Sequence, residues 1–231
     1  MKEFAFFLPT RKGSERVLNK NTKPFAGIEG GLLYVKIEQL LEVPDIPIYI
    51  STNDEVTIEV AKSFKSDRIT ISLRPENLCS SSTLLSDFID YVPTIINEEH
   101  IIWVHVTEPF IDSKSLLNAI DIYRKNVLIN NEYDSLMSCN KIQTFLWDKS
   151  NQSFISHDRN IIKWPRSQDL KPIYEINSAI FINSKRNYNL YRDRIGINPY
   201  LFELTKLQSI DIDWEDDFIL AELLYEATRK I

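Results

Sequence analysis

The chain has 231 residues, a formal net charge of −6 and a hydrophobic content of 43%. This composition is that of an ordinary globular protein, and the acidic balance argues against general binding to nucleic acid or to anionic membranes. No apolar stretch reaches the roughly 18 residues of a membrane span, and the first residues resemble a strand more than a signal peptide. Cys79 and Cys139 lack the spacing of metal ligands, so we expect free thiols in a reducing cytoplasm.

Short apolar runs alternate with longer helical patterns along the chain. This alternation predicts an α/β fold with a mainly parallel sheet flanked by helices. The expected strands are residues 4–8, 46–51, 69–73, 101–106, 135–140 and 178–182, and the expected helices are residues 32–41, 55–64, 83–96, 112–123 and 214–228. No repeat or linker interrupts the pattern, so we expect one domain over residues 1–231.

The pattern breaks between residues 141 and 176. This stretch mixes Trp147 and Trp164 with prolines and charged side chains. Its many large apolar residues argue against a disordered loop. We therefore expect an inserted flap, or an arm that packs on a second subunit.

A basic segment follows the first expected strand. Arg11, Lys12, Arg16 and Lys20 fall within ten positions of an otherwise acidic chain. Such cations, together with loop N–H groups, can hold a polyphosphate. The alternative is a solvated basic loop without a ligand.

A pair of carboxylates lies near the end of the chain. Asp211 and Asp213 are separated by one residue, so in an extended segment at a strand end both would point to one face, with Ile210 and Ile212 turned to the core. Two carboxylates suit Mg²⁺ that also binds substrate phosphates. Alternatively, Asp213 caps the last helix.

Two further positions lie at the expected carboxyl ends of strands, where doubly wound sheets bind ligands, and a third lies at the start of a strand. Arg74 follows the third strand and could reach a nucleotide, or it could be a surface arginine. His105 ends the fourth strand, as a ligand or as a buried core histidine. Asn177 precedes the last strand, where it could bind a sugar or form a turn.

Taken together, these elements resemble the CMP-sugar synthetases, the acylneuraminate cytidylyltransferase family. The resemblance spans nearly the whole chain. It is carried by five motifs in family order, at residues 11–14 with 20–21, 74–78, 107–109, 177–181 and 211–213.

The resemblance implies a Rossmann-like nucleotidyltransferase that transfers CMP from CTP to the anomeric hydroxyl of an acidic 2-keto sugar and releases pyrophosphate. It implies CTP binding by Arg11, Ser14, Lys20, Asn21 and Arg74, with Mg²⁺ on Asp211 and Asp213. Arg11, Lys20 and the two aspartates would be the catalytic residues. A cytoplasmic homodimer is also implied, with residues 141–176 as the dimerisation arm.

The sugar would be bound by His105, Arg166, Asn177 and Phe181 on the same reasoning. His105 stands where sialic acid enzymes usually carry glutamine, and Glu175 where many carry arginine. These departures leave a legionaminic- or pseudaminic-type sugar open beside ordinary sialic acid. The alternatives are a cytidylyltransferase for 3-deoxy-manno-octulosonate or a phosphonate, and an inactive nucleotide-binding relative. A dinucleotide-dependent oxidoreductase is less well supported, because no G-x-G-x-x-G follows the first strand.

Overall fold

The computed structural model describes residues 3–14, 16–80 and 82–229. Its strands are β1 (Phe4–Pro9), β2 (Ile48–Thr52), β3 (Ile69–Leu73), β4 (His100–Val104), β5 (Ser135–Ile142), β6 (Trp147–Asp148), β7 (Ser153–Phe154), β8 (Ile173–Ser184) and β9 (Pro199–Glu203). Its α-helices are α1 (Gly31–Glu42), α2 (Glu55–Ser63), α3 (Leu85–Ile95), α4 (Ser113–Tyr123), α5 (Lys185–Tyr191) and α6 (Glu215–Thr228).

Seven of these strands form one sheet in the order β3-β2-β1-β4-β8-β5-β9. The pairs that involve β8 are antiparallel and the other pairs are parallel, which confirms the predicted mainly parallel sheet. The strand order reverses at β1, which lies between β2 and β4. A reversal of this kind opens a crevice beyond the carboxyl ends of the two central strands, where α/β proteins bind ligands.

The first strand is apolar throughout because helices cover both of its faces. Phe4, Phe6 and Leu8 pack into the core formed with α1, α4 and α6. Ala5 and Phe7 point the other way, into a smaller core formed with α3 and α5. The sheet is therefore the middle of three layers.

The main corrections to the predicted elements concern the C-terminal half. The expected strand at 178–182 falls mostly in the second half of the twelve-residue β8, whose first half is only partly buried and lacks a strong apolar alternation. The expected set omits β9 and α5, which are short; α5 is rich in polar residues, and β9 lacks an alternation of apolar and polar residues. The helix expected over 83–96 begins at Leu85 and continues through Pro93.

The insertion, residues 143–172, lies between β5 and β8 and contains the separate two-stranded sheet of β6 and β7. Its aromatic rings pack on one another, with the Phe154 ring 4.9 Å from that of Trp147 and 5.5 Å from that of Trp164. Trp164 nonetheless leaves 67% of its surface exposed. Among the helices of the described residues, none has the length and apolarity needed to cross a bilayer.

Candidate active site

The basic loop, residues 10–30, connects β1 to α1 and is fixed to the C-terminal helix. Phe25 is fully buried, with its ring 5.4 Å from Phe218 and 5.3 Å from Tyr225 of α6. Lys23 adds an ion pair to Glu215 at 2.6 Å. Apolar contacts thus hold a segment without regular secondary structure, and they bring the start of the chain to its end.

Gly31 closes this loop at a point of close backbone approach. It has a φ of 61°, and a Cβ atom built on it would lie 2.1 Å from the carbonyl oxygen of Lys23. A side chain there would collide with backbone in a conformation that glycine tolerates. Gly31 is therefore required for the path of the loop.

The segment with the two carboxylates has no regular secondary structure, so the predicted position at a strand end is wrong. Strand β9 stops at Glu203, and a turn separates it from Asp211. The N–H of Ile212 donates to the carbonyl of Thr107 at 3.0 Å, and its side chain is fully buried. Asp211 and Asp213 consequently point away from the core, beside the segment that follows β4.

Asp213 does not cap the last helix. The carboxylate of Asp217 accepts hydrogen bonds from the backbone N–H groups of Asp213 and Trp214, at 3.0 and 2.8 Å. Because Asp217 satisfies the start of the helix, the Asp213 side chain is available for other contacts.

Those contacts are with the basic loop. One carboxylate oxygen of Asp213 lies 2.8 Å from Arg16 Nη1, and the other lies 3.3 Å from Lys20 Nζ. Lys20 also donates to the carbonyl of Ile212. The predicted cationic loop and the predicted carboxylate therefore meet directly, although Arg16 was not among the predicted site residues.

A cleft of about 540 Å³ opens beside this cluster, at the carboxyl ends of β1 and β4. We call it the first cleft. Seven predicted residues line it: Arg11, Ser14, Lys20, Asn21, Arg74, His105 and Asp213. It lies where the strand order reverses, so the fold places these groups at the expected ligand-binding crevice.

Arg74 is a buried wall of the first cleft and not a surface arginine. Its guanidinium donates to the Ser51 carbonyl at 2.8 Å and lies 4.1 Å from the ring centre of Phe88. Burial lowers its pKa to about 10, which leaves it charged at neutral pH. Arg11 lies nearby and contacts the Cys79 carbonyl at 3.4 Å.

Glu108 is a buried carboxyl that lies close to Asp211 and was named at the sequence level only as part of a motif. Its Oε2 accepts from Thr107 Oγ1 at 3.2 Å, whereas its Oε1 is buried without a partner among the described residues. Burial and the Asp211 charge raise the Glu108 pKa to about 8. Desolvation also raises the pKa of Asp211, and the Asp213 carboxylate acts in the same direction.

The described residues contain no cluster of three or more His, Cys, Asp or Glu side chains arranged to hold a metal ion. A metal at this site would have to rely on the two aspartates and on ligands from a substrate. Mg²⁺ is commonly bound in that way.

Comparison with known proteins decides the family. The model of a family described as Cytidylyltransferase matches residues 5–230. The chain belongs to the cytidylyltransferase family. The predicted resemblance is thereby confirmed at the level of the family.

The chain is similar to curated members of this family. It is 25% identical over 223 residues to the N-acylneuraminate cytidylyltransferase of Streptococcus agalactiae serotype III, and 28% identical over 231 residues to that of Escherichia coli O18:K1:H7. These matches cover 92% and 96% of this chain but 51% and 52% of the relatives, so the chain spans about half their length. The CMP-N,N'-diacetyllegionaminic acid synthase of Legionella pneumophila is 26% identical, with 96% of both chains covered.

Solved structures show the same fold. The structure of CMP:2-keto-3-deoxy-manno-octonic acid synthetase complexed with CTP has a TM-score of 0.66 at 15% identity, with 99% of this chain and all of that chain covered. The 4-diphosphocytidyl-2C-methyl-D-erythritol synthase of Anaerococcus prevotii has a TM-score of 0.64 at 12% identity, with 97% and 99% covered.

His105 of this cytidylyltransferase is held by the protein at both ring nitrogens. The indole N–H of Trp103 donates to Nε2 at 2.9 Å, and Nδ1 lies 2.8 Å from the carbonyl of Ser178. An indole nitrogen can only donate, so the ring proton is on Nδ1. Burial, with a smaller contribution from the Arg194 charge, lowers the His105 pKa to about 4. His105 is therefore a neutral wall of the first cleft, and its ring nitrogens are not free for a sugar.

Asn177 and Phe181 are also buried in β8. The Asn177 side chain accepts from Ser138 Oγ at 2.6 Å and donates to Asn140 Oδ1 at 2.7 Å. The Asn177 oxygen also accepts from the Ala179 N–H at 3.2 Å, so only one amide hydrogen of Asn177 remains for a ligand. Phe181 lies against the guanidinium of Arg194.

Arg166 does not join these residues within one chain. It is exposed in the insertion, and it forms a two-point ion pair with Asp169 at 2.8 and 3.1 Å. Of the four predicted sugar-binding residues, His105 lines the first cleft, whereas Asn177, Phe181 and Arg166 do not.

Proposed function

We propose that this protein transfers CMP from CTP to the anomeric hydroxyl of an acidic 2-keto sugar and releases pyrophosphate. The observation that carries the proposal is the meeting of the basic loop with Asp213 at the first cleft. Family membership supports CTP as the nucleotide, and the curated relatives support an acidic sugar as the acceptor.

The basic loop would bind the triphosphate. Arg11 and Lys20 place positive charge along one wall of the first cleft, and Ser14 and Asn21 add hydrogen-bonding groups. Attack on the α-phosphorus requires an acceptor hydroxyl in line with the departing pyrophosphate, and fixed cations offset the charge that develops there. Arg74, which lines the same cleft, would contact the nucleotide.

Asp211 and Asp213 would hold Mg²⁺. Bound there, the metal would neutralise phosphate charge and polarise the α-phosphoryl group. The fit is supported by the position of the two carboxylates on either side of the buried Ile212, which turns them away from the core. Phosphate oxygens would supply the remaining ligands. Arg16 and Lys20 balance Asp213 without a metal, and they would turn toward the phosphates when one binds.

The protein would act as a homodimer through its insertion. Three isoleucines of this segment, Ile155, Ile161 and Ile162, are each more than half exposed, as is Trp164. Apolar surface of this kind favours burial against a partner. In a dimer, Arg166 could reach the acceptor site of the partner chain.

The experiment that tests the function is a panel of acceptors with CTP. Pyrophosphate release would be measured with N-acetylneuraminate, N,N'-diacetyllegionaminate and 3-deoxy-manno-octulosonate, and each active acid would be retested with ATP, GTP and UTP. We expect release with CTP and at least one acid, and little with the other nucleotides. A protein that binds CTP but releases pyrophosphate with no acid in the panel would contradict the proposal.

A further inference from the structure

A second cleft, of about 310 Å³, opens beside the first. Leu85, at the start of α3, lines both clefts. Trp103 joins them as well, since its ring lines the first cleft and faces Arg194, which lines the second. A ligand in the second cleft would therefore lie next to a nucleotide in the first.

Arg194 is held against aromatic rings in this second cleft. Its guanidinium carbon lies 3.9 Å from the ring centre of Phe181 and 5.2 Å from that of Trp103. Stacking of this kind fixes the plane of a guanidinium and leaves its N–H groups directed outward. Arg194 is thus a positioned cation and not a flexible surface charge.

The hydrogen-bond donors of Arg194 have no acceptor within the described residues. In those residues no carboxylate lies within ion-pair distance of its guanidinium, whereas Arg16, Arg166 and Arg192 each contact an aspartate. None of its nitrogens is a buried atom without a partner, so they are accessible from the cleft. Desolvation lowers the pKa of Arg194 but leaves it charged.

A carboxylate is the ligand that such a group recognises best, because a planar guanidinium can donate two parallel hydrogen bonds to its two oxygens. Within one chain, neither Glu175 nor Arg166 provides such a free guanidinium. Glu175 is itself a carboxylate, and Arg166 is already paired with Asp169. We propose that Arg194 binds the carboxylate of the acidic acceptor in the second cleft, and so sets the preference of this enzyme for acids. The inference rests on the proposed function, since it names the group that selects the acceptor of that reaction.

Binding of an acid and of its neutral amide tests the inference most directly. The affinities of N-acetylneuraminate, N,N'-diacetyllegionaminate and 3-deoxy-manno-octulosonate, and of their C1 amides, would be measured by calorimetry with CMP present. Wild-type protein should prefer at least one acid to its amide. Arg194→Met keeps the apolar contact with Phe181, and it should weaken binding of that acid roughly 10- to 100-fold and change amide binding less than about twofold.

Two further variants separate recognition from structure. Arg186→Met makes the same chemical change on exposed α5, outside both clefts, and should bind acid and amide as the wild type does. Arg194→Lys should recover part of the preference, since it restores the charge without the two-point geometry. Equal losses for acid and amide in Arg194→Met would overturn the inference and indicate a structural role. Failure of the wild type to bind any of the acids would overturn it as well.

The proposed function can fail separately. If the wild type binds an acid through Arg194 but releases no pyrophosphate from CTP, the transferase proposal fails and the assignment of Arg194 stands. If pyrophosphate is released and Arg194→Met has an unchanged KM for the acid, the assignment fails and the transferase proposal stands.

Discussion

Asp213 is the residue on which the two ends of the chain converge. Its oxygens lie 2.8 Å from Arg16 and 3.3 Å from Lys20, and these pairs are partly exposed. Exposed ion pairs contribute little to stability, so their arrangement suits a binding role better than a structural one.

Replacement of Asp213 by alanine should therefore separate activity from folding. We expect kcat to fall at least about 100-fold, because a carboxylate that would hold the phosphate-neutralising Mg²⁺ is lost. The free energy of unfolding should change by less than about 1 kcal/mol. Pyrophosphate release and urea denaturation would measure the two effects.

Asp216→Ala is the matched control, since Asp216 is an exposed carboxylate in the first turn of α6. It should retain the wild-type kcat. A loss of cooperative unfolding in Asp213→Ala, or an equal loss of activity in the control, would argue against the role given to Asp213.

Glu108 gives a prediction on pH. Burial and Asp211 raise its folded pKa from an ordinary value of 4.5 to about 8. The folded protein therefore binds a proton that the unfolded chain releases, and this contribution to stability is complete below pH 4.5 and is lost as the pH rises toward 8.

Glu108→Gln has no carboxyl to ionise, so it should escape this loss. Relative to the wild type, its free energy of unfolding should increase by about 1–3 kcal/mol between pH 5 and pH 7.5. Urea denaturation at the two pH values would measure this difference. A difference that stays constant with pH would show that Glu108 is ionised in the folded protein.

At the scale of elements, the basic loop depends on one glycine at the start of α1. Gly31→Ala should lower the free energy of unfolding by about 2–4 kcal/mol, because a Cβ would meet the Lys23 carbonyl at 2.1 Å with φ at 61°. It should also weaken CTP binding, since it displaces the loop that carries Lys20. Denaturation and calorimetry would measure the two effects.

Gly13→Ala offers the comparison. Gly13 also has a positive φ, of 86°, but no atom lies within 4 Å of a Cβ built there. Gly13→Ala should lower the free energy of unfolding only by the cost of backbone strain, about 1 kcal/mol. Equal losses of stability in the two variants would contradict the argument from close approach.

The elements that sequence reasoning anticipated are those with a strong apolar period. The sequence of β1 predicts a buried strand because both of its faces are covered and all of its residues are apolar. The alternation of buried Ile212 with Asp211 and Asp213 is also found as predicted, although this segment is not part of a strand. The first half of β8 and the whole of β9 were missed, because they are only partly buried and lack a strict alternation of apolar and polar residues.

Sequence motifs predicted those residues of the candidate site that belong to a motif. They missed those residues whose position depends only on packing in the folded chain. Lys20 and Asp213 lie 193 positions apart, and motifs at both ends pointed to one ligand. Arg194 follows charged residues and precedes Gly196, so its sequence resembles a surface loop. Its proposed role in binding the acceptor is indicated only by the packing of its guanidinium on Phe181 and Trp103.

At the scale of the whole molecule, the insertion carries the proposal of a dimer. Ile161 is 78% exposed within it, and burial of such a side chain against a partner would stabilise an assembly. Ile161→Asp should shift the protein from dimer to monomer in sedimentation at micromolar concentration.

Ile197→Asp controls for the added charge, because Ile197 is 74% exposed but lies outside the insertion. It should leave the dimer intact. A monomeric wild type, or dissociation by both variants, would rule out the insertion as the interface.

The central claim is that cations from one end of the chain and carboxylates from the other form a single metal-dependent triphosphate site. Calorimetric titration of CTP into wild-type, Asp211→Asn and Asp216→Asn protein, with and without Mg²⁺, tests it most directly. Mg²⁺ should strengthen CTP binding at least about tenfold in the wild type and in Asp216→Asn, and less than about twofold in Asp211→Asn. CTP affinity that is the same with and without Mg²⁺ in the wild type would contradict the claim.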